Sequence, residues 1–223
     1  MNRRTFVKQN IAASALAGLA PVGAFAANFN ENTFLNEDNF NLDYAPHLGM
    51  FRSHAGEDPI DQLNFMADQG FKAFEDNGMK GRAVALQEEM AATMTKRNIR
   101  MGVFVAHTIY WTEPNLASGN KDLQNEFLKE IRESVEVAKR VNAKWMTVVP
   151  GYVDQRLNMQ YQTANVIESL RRAADILEPH GLTMVLEPHN FRDHPGLFLS
   201  ESPQTYQICK AVDSPSCKIL FDI

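Results

Sequence analysis

The sequence has 223 residues, of which 44% are hydrophobic and 22% are charged, and its formal net charge is −5. This composition is that of an ordinary globular chain, and it excludes disordered, collagen-like and disulfide-scaffold proteins. A chain of this length can bury a sizeable core.

The first 26 residues are typical of an export signal. The paired arginines Arg3-Arg4 are followed by an alanine-rich apolar run over 11–20 and by the small-residue site Ala24-Phe25-Ala26. This order is that of a secretory signal, and the arginine pair resembles the twin-arginine type. The apolar run is too short to span a bilayer comfortably. We therefore predict cleavage after Ala26, a periplasmic location and no stable membrane association of the mature chain.

Cleavage would make the chain more acidic. It removes the three basic residues Arg3, Arg4 and Lys8 and no acidic residue, so the formal charge falls from −5 to −8. An acidic chain without a basic run binds nucleic acid and anionic membranes poorly. The expected partner is a small molecule and not a nucleic acid, and homo-oligomerisation is left open.

The sequence contains two cysteines, Cys209 and Cys217. Their spacing is neither a zinc-binding nor a redox motif. An exported protein could keep a disulfide, but free cysteine is among the most frequently buried residues. We favour two buried free thiols and leave a disulfide as the alternative.

Residues 27–44, rich in asparagine and acidic groups, are predicted to be a linker or an N-terminal arm. Beyond them, apolar runs alternate with amphipathic helices. Asp58-Pro59 predicts the start of the first helix and Gly70 its end. Further helices are predicted from the apolar spacing over 83–94, from 121, over 166–177 and from a cap at Ser202-Pro203. The predicted strands are 45–51, 71–75, 99–106, 144–149, 182–186 and 219–221.

This strict alternation of strands and helices predicts a parallel sheet covered by helices. Successive strands start about 34 residues apart, which suits a (β/α)8 TIM barrel that needs two strands beyond the sixth. An open doubly wound sheet is less favoured, because 49–54 lacks the glycine-rich phosphate-binding pattern. We therefore predict an α/β fold, a TIM barrel over 45–223 that is truncated after its sixth strand.

Functional side chains of such barrels lie where the strands end. Glu187 and Asp222 are the strongest candidates, since each follows an apolar strand and a carboxylate there requires a metal or a cationic partner. Two carboxylates from neighbouring strands, with a histidine, suit Mn²⁺, Mg²⁺ or Zn²⁺. The weaker candidates also have structural interpretations. His54 could be an ordinary loop histidine, Glu75 a salt-bridge partner, and His107 a histidine bonded to backbone.

The segment over 186–199 resembles the hydroxypyruvate isomerase family, among the xylose-isomerase-like sugar isomerases and epimerases. The shared pieces are Glu187-Pro188, Asn190, Arg192-Asp193, Pro195-Gly196 and Phe198-Leu199, and Leu220-Phe221-Asp222 resembles the next family strand. The resemblance extends over about 45–223.

The resemblance implies that Glu187 is both a metal ligand and one of two acid/base glutamates. It implies that Asp222 is the second ligand and that two further ligands lie on later strands. Glu75 and His107 match positions that often line the substrate pocket. His189 departs from the family, where that position is usually apolar.

The resulting hypothesis is a divalent-metal-dependent isomerase or epimerase of hydroxypyruvate or a small sugar. Proton transfer by Glu187 would pass through an enediolate. Substrate contacts are predicted for His54, Glu75, His107, His189 and Arg192. The truncated chain alone is expected to be inactive. The alternatives are a non-catalytic exported sugar-binding barrel and, less favoured because of the acidic charge, an endonuclease-type metal phosphodiesterase.

Overall fold

The computed structural model describes residues 40–222. The predicted export signal over 1–26 and the part of the predicted arm over 27–39 lie outside the described residues. From 40 to 222, no helix combines the length and the apolar character that crossing a membrane requires. At the start of this range the Phe40 ring stacks on Phe71 with 4.7 Å between ring centroids.

Helices and short strands alternate along the described chain. The helices are α1 (Arg52–Ala55), α2 (Pro59–Asp68), α3 (Val84–Arg97), α4 (Lys121–Val141), α5 (Met159–Leu177) and α6 (Ser202–Val212). The strands are β1 (Ala73–Phe74), β2 (Arg100–Met101), β3 (Trp145–Val148), β4 (Thr183–Leu186) and β5 (Cys217–Ile219). Three short 3₁₀ turns accompany them at Met79–Gly81, Leu116–Ser118 and Glu178–His180.

All strand pairs are parallel, and the strands follow one another in sequence order. β1 pairs with β2, and β3, β4 and β5 form a second group. An isolated bridge between Val105 and Thr147 joins the two groups. A second bridge pairs His47, which lies before α1, with Glu75, which directly follows β1. Parallel neighbours in sequence order, with a helix between each strand and the next, are the arrangement of a TIM-barrel wall.

The predicted first strand over 45–51 is wrong. Only His47 forms a bridge, and the chain then turns into α1. Gly49 has φ of +94°, which breaks the extended conformation, and its N–H donates to Gln62 of α2 at 2.7 Å.

The predicted third and sixth strands are shorter than or displaced from their predicted ranges. At Gly102 the backbone comes very close to the neighbouring strand, since its N–H reaches the Phe74 carbonyl at 2.6 Å. β2 pairs with β1, whereas Val105 bridges to Thr147 of β3, so the predicted third strand is present as β2 and this isolated bridge. The sixth strand is β5, which begins at Cys217 and ends at Ile219 rather than extending to 221.

Of the two predicted helix caps, one is confirmed. The Asp58 carboxylate accepts the N–H groups of Ile60 and Asp61, and Pro59 occupies the first helical position, as predicted. Asn158 caps α5 in the same way. The predicted cap at Ser202 is wrong, because Glu201 is the N-cap of α6 and makes no side-chain capping bond.

The core lies between the strands and the inner faces of the helices. Fully buried side chains from both layers meet there, including Phe74, Met146, Leu186, Ile131 and Leu170. Each such side chain contributes about 1.5–3 kcal/mol through removal of apolar surface from water. The helices thereby fix the strand ends, where the polar side chains lie.

A glutamine recurs near the start of the long helices. It is the fourth residue of α2, α3, α4 and α5 and the third of α6. Except in α4, its side-chain amide binds backbone groups of the loop that precedes its own helix. We call these four residues, Gln62, Gln87, Gln162 and Gln204, the loop glutamines.

Gln162 illustrates these bonds. Its Oε1 accepts the Asp154 N–H at 2.8 Å, and its Nε2 donates to the carbonyls of Asp154 and Leu157 at 3.0 and 2.9 Å. The side chain is buried. The loop after β3 is therefore held in shape by a residue of the helix that follows it.

Replacing Gln162 with leucine is expected to lower the free energy of unfolding by about 2–4 kcal/mol, because buried backbone groups lose their partners. Urea denaturation of the two proteins measures this difference. Gln160→Leu is the matched control, since Gln160 lies exposed on the same helix and should change stability by less than about 0.5 kcal/mol. Equal losses in the two variants would contradict the role given to Gln162.

Candidate active site

Three predicted carboxylates face one cavity at the C-terminal ends of the strands. Glu75 follows β1, Glu187 follows β4 and Asp222 lies beyond β5. The cavity has a volume of about 420 Å³, and its lining is completed by Asn77, Val103, Thr147, Leu220 and Phe221. The sequence order of parallel strands brings these ends to one face of the barrel.

The carboxylates of this cavity also interact electrostatically. Burial raises the pKa of Glu75, the negative charges of Glu187 and Asp222 raise it further, and His47 opposes the shift. Glu75 therefore keeps its proton to a higher pH than an ordinary glutamate does. Clustered carboxylates that repel one another favour a bound cation or a proton at this position.

The imidazole that acts on Glu75 belongs to His47 and not to His54. His47 is the bridge partner of Glu75, and its charge acts on that carboxyl group. His54 lies exposed on α1, where its ring stacks on Phe65 with 5.6 Å between centroids. The chain turns away from the cavity at Gly49, so the structure does not bring His54 to the carboxylates.

His107 is buried, and both of its ring nitrogens are bonded to backbone. Nδ1 donates to the Thr108 carbonyl at 2.8 Å, and Nε2 accepts the Val149 N–H at 3.2 Å. The ring edge contacts Phe127. Burial lowers the pKa of His107 to about 4, so the imidazole is neutral at pH 7. The structure places His107 in the core, as in the alternative of a histidine satisfied by backbone, and His107 does not line the carboxylate cavity.

His189 lies beside Glu187. Its Nε2 is 3.7 Å from Oε1 of Glu187, and its Nδ1 is 3.2 Å from the Glu187 carbonyl oxygen. Its ring also contacts His194 and Trp111 at centroid distances of 4.8 and 5.5 Å. We call Trp111, His189 and His194 the aromatic cluster. It forms a wall next to Glu187 that combines polar and apolar surface.

Arg192 does not line the carboxylate cavity. Its N–H donates to Asn190 Oδ1 at 3.1 Å, and its exposed guanidinium lies over the Phe191 ring at 6.0 Å. Asn190 also accepts the Asp193 N–H and donates to the Asp193 carboxylate. This part of the motif therefore shapes a turn in the loop after β4.

A close contact at Gly196 joins the loops after β3 and β4. A Cβ there would lie 2.2 Å from the Tyr152 ring, and φ is +88°, so only glycine fits. The two loops exchange hydrogen bonds, from Val153 N–H to the Gly196 carbonyl and from Phe198 N–H to the Gly151 carbonyl, each at 2.9 Å. The loop after β4, which carries His189 and His194, is therefore bonded to the loop after β3.

Sequence reasoning missed three residues of this region. Thr147 is the polar residue within the buried run over 146–149, a signal that would have identified it. Asn77 directly follows Glu75-Asp76 at the strand end. His47 was included in the predicted strand, and it became recognisable only through its pairing with Glu75.

Glu187 and Asp222 offer the hard oxygen ligands that Mn²⁺, Mg²⁺ and Zn²⁺ accept. Between 40 and 222, no group of three or more His, Cys, Asp or Glu residues is close enough together to enclose a metal ion. The donor chemistry of these two residues fits a divalent metal, and the residues described supply part of a coordination shell.

Comparison with known proteins agrees with the fold. Over 186 residues the chain is 27% identical to 2-oxo-tetronate isomerase of Cupriavidus necator, a match that covers 80% of this chain and 67% of that protein. It is 25% identical over 100 residues to hydroxypyruvate isomerase of Escherichia coli, covering 45% of this chain and 39% of that protein. The chain thus spans about two thirds or less of the length of these curated relatives.

Solved structures share the same architecture. AP endonuclease, family 2, from Brucella melitensis superposes with a TM-score of 0.68 at 22% identity, covering 80% of this chain and 67% of that one. The IolI protein with a bound zinc atom superposes with a TM-score of 0.60 at 15% identity, and the match covers 79% of this chain and 62% of that one. The profile of the family described as xylose isomerase-like TIM barrel matches residues 63–223. The chain belongs to the xylose isomerase-like TIM barrel family.

Proposed function

We propose that the full-length protein is a divalent-metal-dependent isomerase or epimerase of a small hydroxy-carbonyl compound, either hydroxypyruvate or a small sugar. The observation that carries this proposal is the cavity that Glu75, Glu187 and Asp222 share at the strand ends. The relatives that are named as isomerases support the reaction class.

Glu187 and Asp222 would hold the metal, which would polarise the carbonyl and hydroxyl oxygens of the substrate and acidify the C–H bond between them. Glu187 would also take up the proton of that C–H bond and, in an isomerase, return it to the neighbouring carbon. In an epimerase, a second acid/base group would deliver the proton from the other face. His189 contacts Glu187 and would limit the orientations of its carboxylate. Glu75 lines the same cavity, where its carboxylate could accept a hydrogen bond from a substrate hydroxyl.

Phosphodiester hydrolysis is the alternative that the structural similarity to an endonuclease raises, and it is less well supported. The chain has a formal charge of −5, and the cavity is lined by three carboxylates, so the phosphates of a nucleic acid would be repelled. A small sugar is neutral and meets no such repulsion, and hydroxypyruvate carries a single negative charge, whereas a nucleic acid carries one for each phosphate.

The test is metal-dependent proton exchange. We expect the full-length protein with Mn²⁺ to incorporate deuterium from solvent into the carbon next to the carbonyl of hydroxypyruvate or of a small ketose, as measured by NMR. Removal of the metal by a chelator is expected to abolish the exchange, and added Mn²⁺ to restore it.

Two results would count against the proposal. Substrate binding without exchange would favour a non-catalytic sugar-binding barrel. Metal-dependent cleavage of DNA containing an abasic site, with no exchange on any hydroxy-carbonyl compound, would favour a phosphodiesterase.

A further inference from the structure

Two thiols face each other away from the carboxylate cavity. Cys209 lies on α6 and Cys217 begins β5, and their Sγ atoms are 3.9 Å apart. Cys217 is buried and Cys209 is half-buried. Both are free thiols in the structure.

We propose that Cys209 and Cys217 form a reversible disulfide that fastens α6 to β5. A disulfide requires a sulfur separation of about 2 Å, so the two atoms must approach by about the same amount. Side-chain rotation can supply a movement of this size. The proposal concerns a modification site and does not depend on the isomerase activity.

The turn between the two cysteines holds them in position. Asp213 adopts φ of +57°, and its N–H donates to the Cys209 carbonyl at 3.1 Å. Ser214 follows, and its carbonyl and hydroxyl oxygens accept the N–H groups of Cys217 and Ser216 at 3.3 and 3.0 Å. Since these bonds fix the backbone on either side, closing the disulfide orders little additional chain.

The two thiols differ in a way that suits thiol–disulfide exchange. The hydrogen bond from Cys217 lowers the pKa of Cys209, and Lys218 lowers it further. The pKa of Cys217 is raised, because its proton is held in that hydrogen bond and its sulfur is buried. Both thiols line one surface cleft, and Cys209 is the more exposed of the two. Cys209 is therefore the accessible, more readily ionised thiol of the pair.

The oxidant in this reaction is another disulfide, of a small molecule or of a protein. The Cys209 thiolate attacks one sulfur of that disulfide, and a mixed disulfide forms as the first thiolate leaves. Cys217 then loses its proton and attacks Cys209 Sγ, and the second thiolate leaves. The cysteine pair is oxidised by two electrons, and the external disulfide is reduced to two thiols.

The crosslink would act on the strand that leads to the cavity. β5 continues through Leu220, whose N–H bonds to the Leu186 carbonyl at 2.9 Å, to Asp222 at the cavity. An oxidised pair would limit how far this strand can separate from α6. We expect a higher midpoint of thermal unfolding for the oxidised protein than for the reduced one.

Oxidised glutathione is the probe. The native protein is equilibrated with it, free thiols are blocked, and a non-reducing tryptic digest is analysed by mass spectrometry. Trypsin cuts after Lys210, so Cys209 and Cys217 fall in separate peptides that only the disulfide keeps joined. We expect the joined pair, with a mass lower by two hydrogen atoms than the sum of the two peptides.

The single variants show the order of events. Cys217→Ser is expected to accumulate glutathione on Cys209, and Cys209→Ser to react at least about tenfold more slowly at the buried Cys217. The proposal is overturned if the native protein keeps both thiols free at equilibrium with oxidised glutathione. It is equally overturned if glutathione remains on Cys209 of the native protein and no joined peptides form.

Discussion

Glu187→Gln is expected to lower kcat of the full-length protein about 10³-fold, within the range that general acid–base groups contribute. The amide keeps the shape of the side chain but cannot take up a proton, and it is a weaker metal ligand than a carboxylate. Turnover is measured on the substrate that shows metal-dependent exchange. A loss of this size raises the barrier by about 4 kcal/mol.

Glu168→Gln is the matched control for that variant. Glu168 lies on α5 and pairs with Lys121 at 2.8 Å on the surface, so the same chemical change is made far from the cavity. We expect unchanged kcat and a change in stability below about 1 kcal/mol. Wild-type turnover in Glu187→Gln would remove Glu187 from the reaction and with it the proposed mechanism.

His107 is expected to make the protein markedly acid-sensitive. Its folded pKa of about 4 lies below the ordinary value of 6.5, so the folded state disfavours the charged ring. The stability contributed by the neutral ring is present above pH 6.5 and is lost as the pH falls from there through 4. The loss reaches about 3 kcal/mol at the acid end of this window.

The free energy of unfolding is measured by urea denaturation of the full chain, for wild type and for His107→Gln. The measurement is made at about pH 7.5, above the window, and at about pH 4.5, within it. Glutamine can keep the bonds to Thr108 and Val149 but does not titrate. We expect the free energy of unfolding to depend less on pH in His107→Gln than in wild type. In the control His54→Gln, whose replaced ring is exposed, we expect the same dependence as in wild type. Equal pH dependence in wild type and His107→Gln would show that burial of this ring is not the cause.

Local chemistry predicted the helices and the principal carboxylates of the site. Asp58-Pro59 starts α2 because its capping atoms and its proline act within one turn. Glu187 and Asp222 could be selected because a charged group at the end of an apolar strand is unusual wherever the strand is placed. Such signals are contained in a few consecutive residues.

The remaining features depend on contacts between distant residues. Whether His107 faces the cavity or the core depends on the register of the Val105–Thr147 bridge and on the Val149 N–H. The choice of His47 over His54 depends on a turn that Gln62 holds through Gly49, thirteen positions earlier in the chain. Patterns of apolar residues carry no information on these long-range bonds.

The loop glutamines have a consequence for how this barrel can change. The side chains of Gln62, Gln87, Gln162 and Gln204 bind backbone atoms of the loops. These bonds therefore depend on the backbone conformation of each loop and not on its side chains. Side chains between the bonded positions can therefore be exchanged without loss of the loop's anchoring. Under the proposed function, new substrate contacts would arise there by mutation while the strand-end carboxylates stay in place, so the reaction and the choice of substrate would evolve separately.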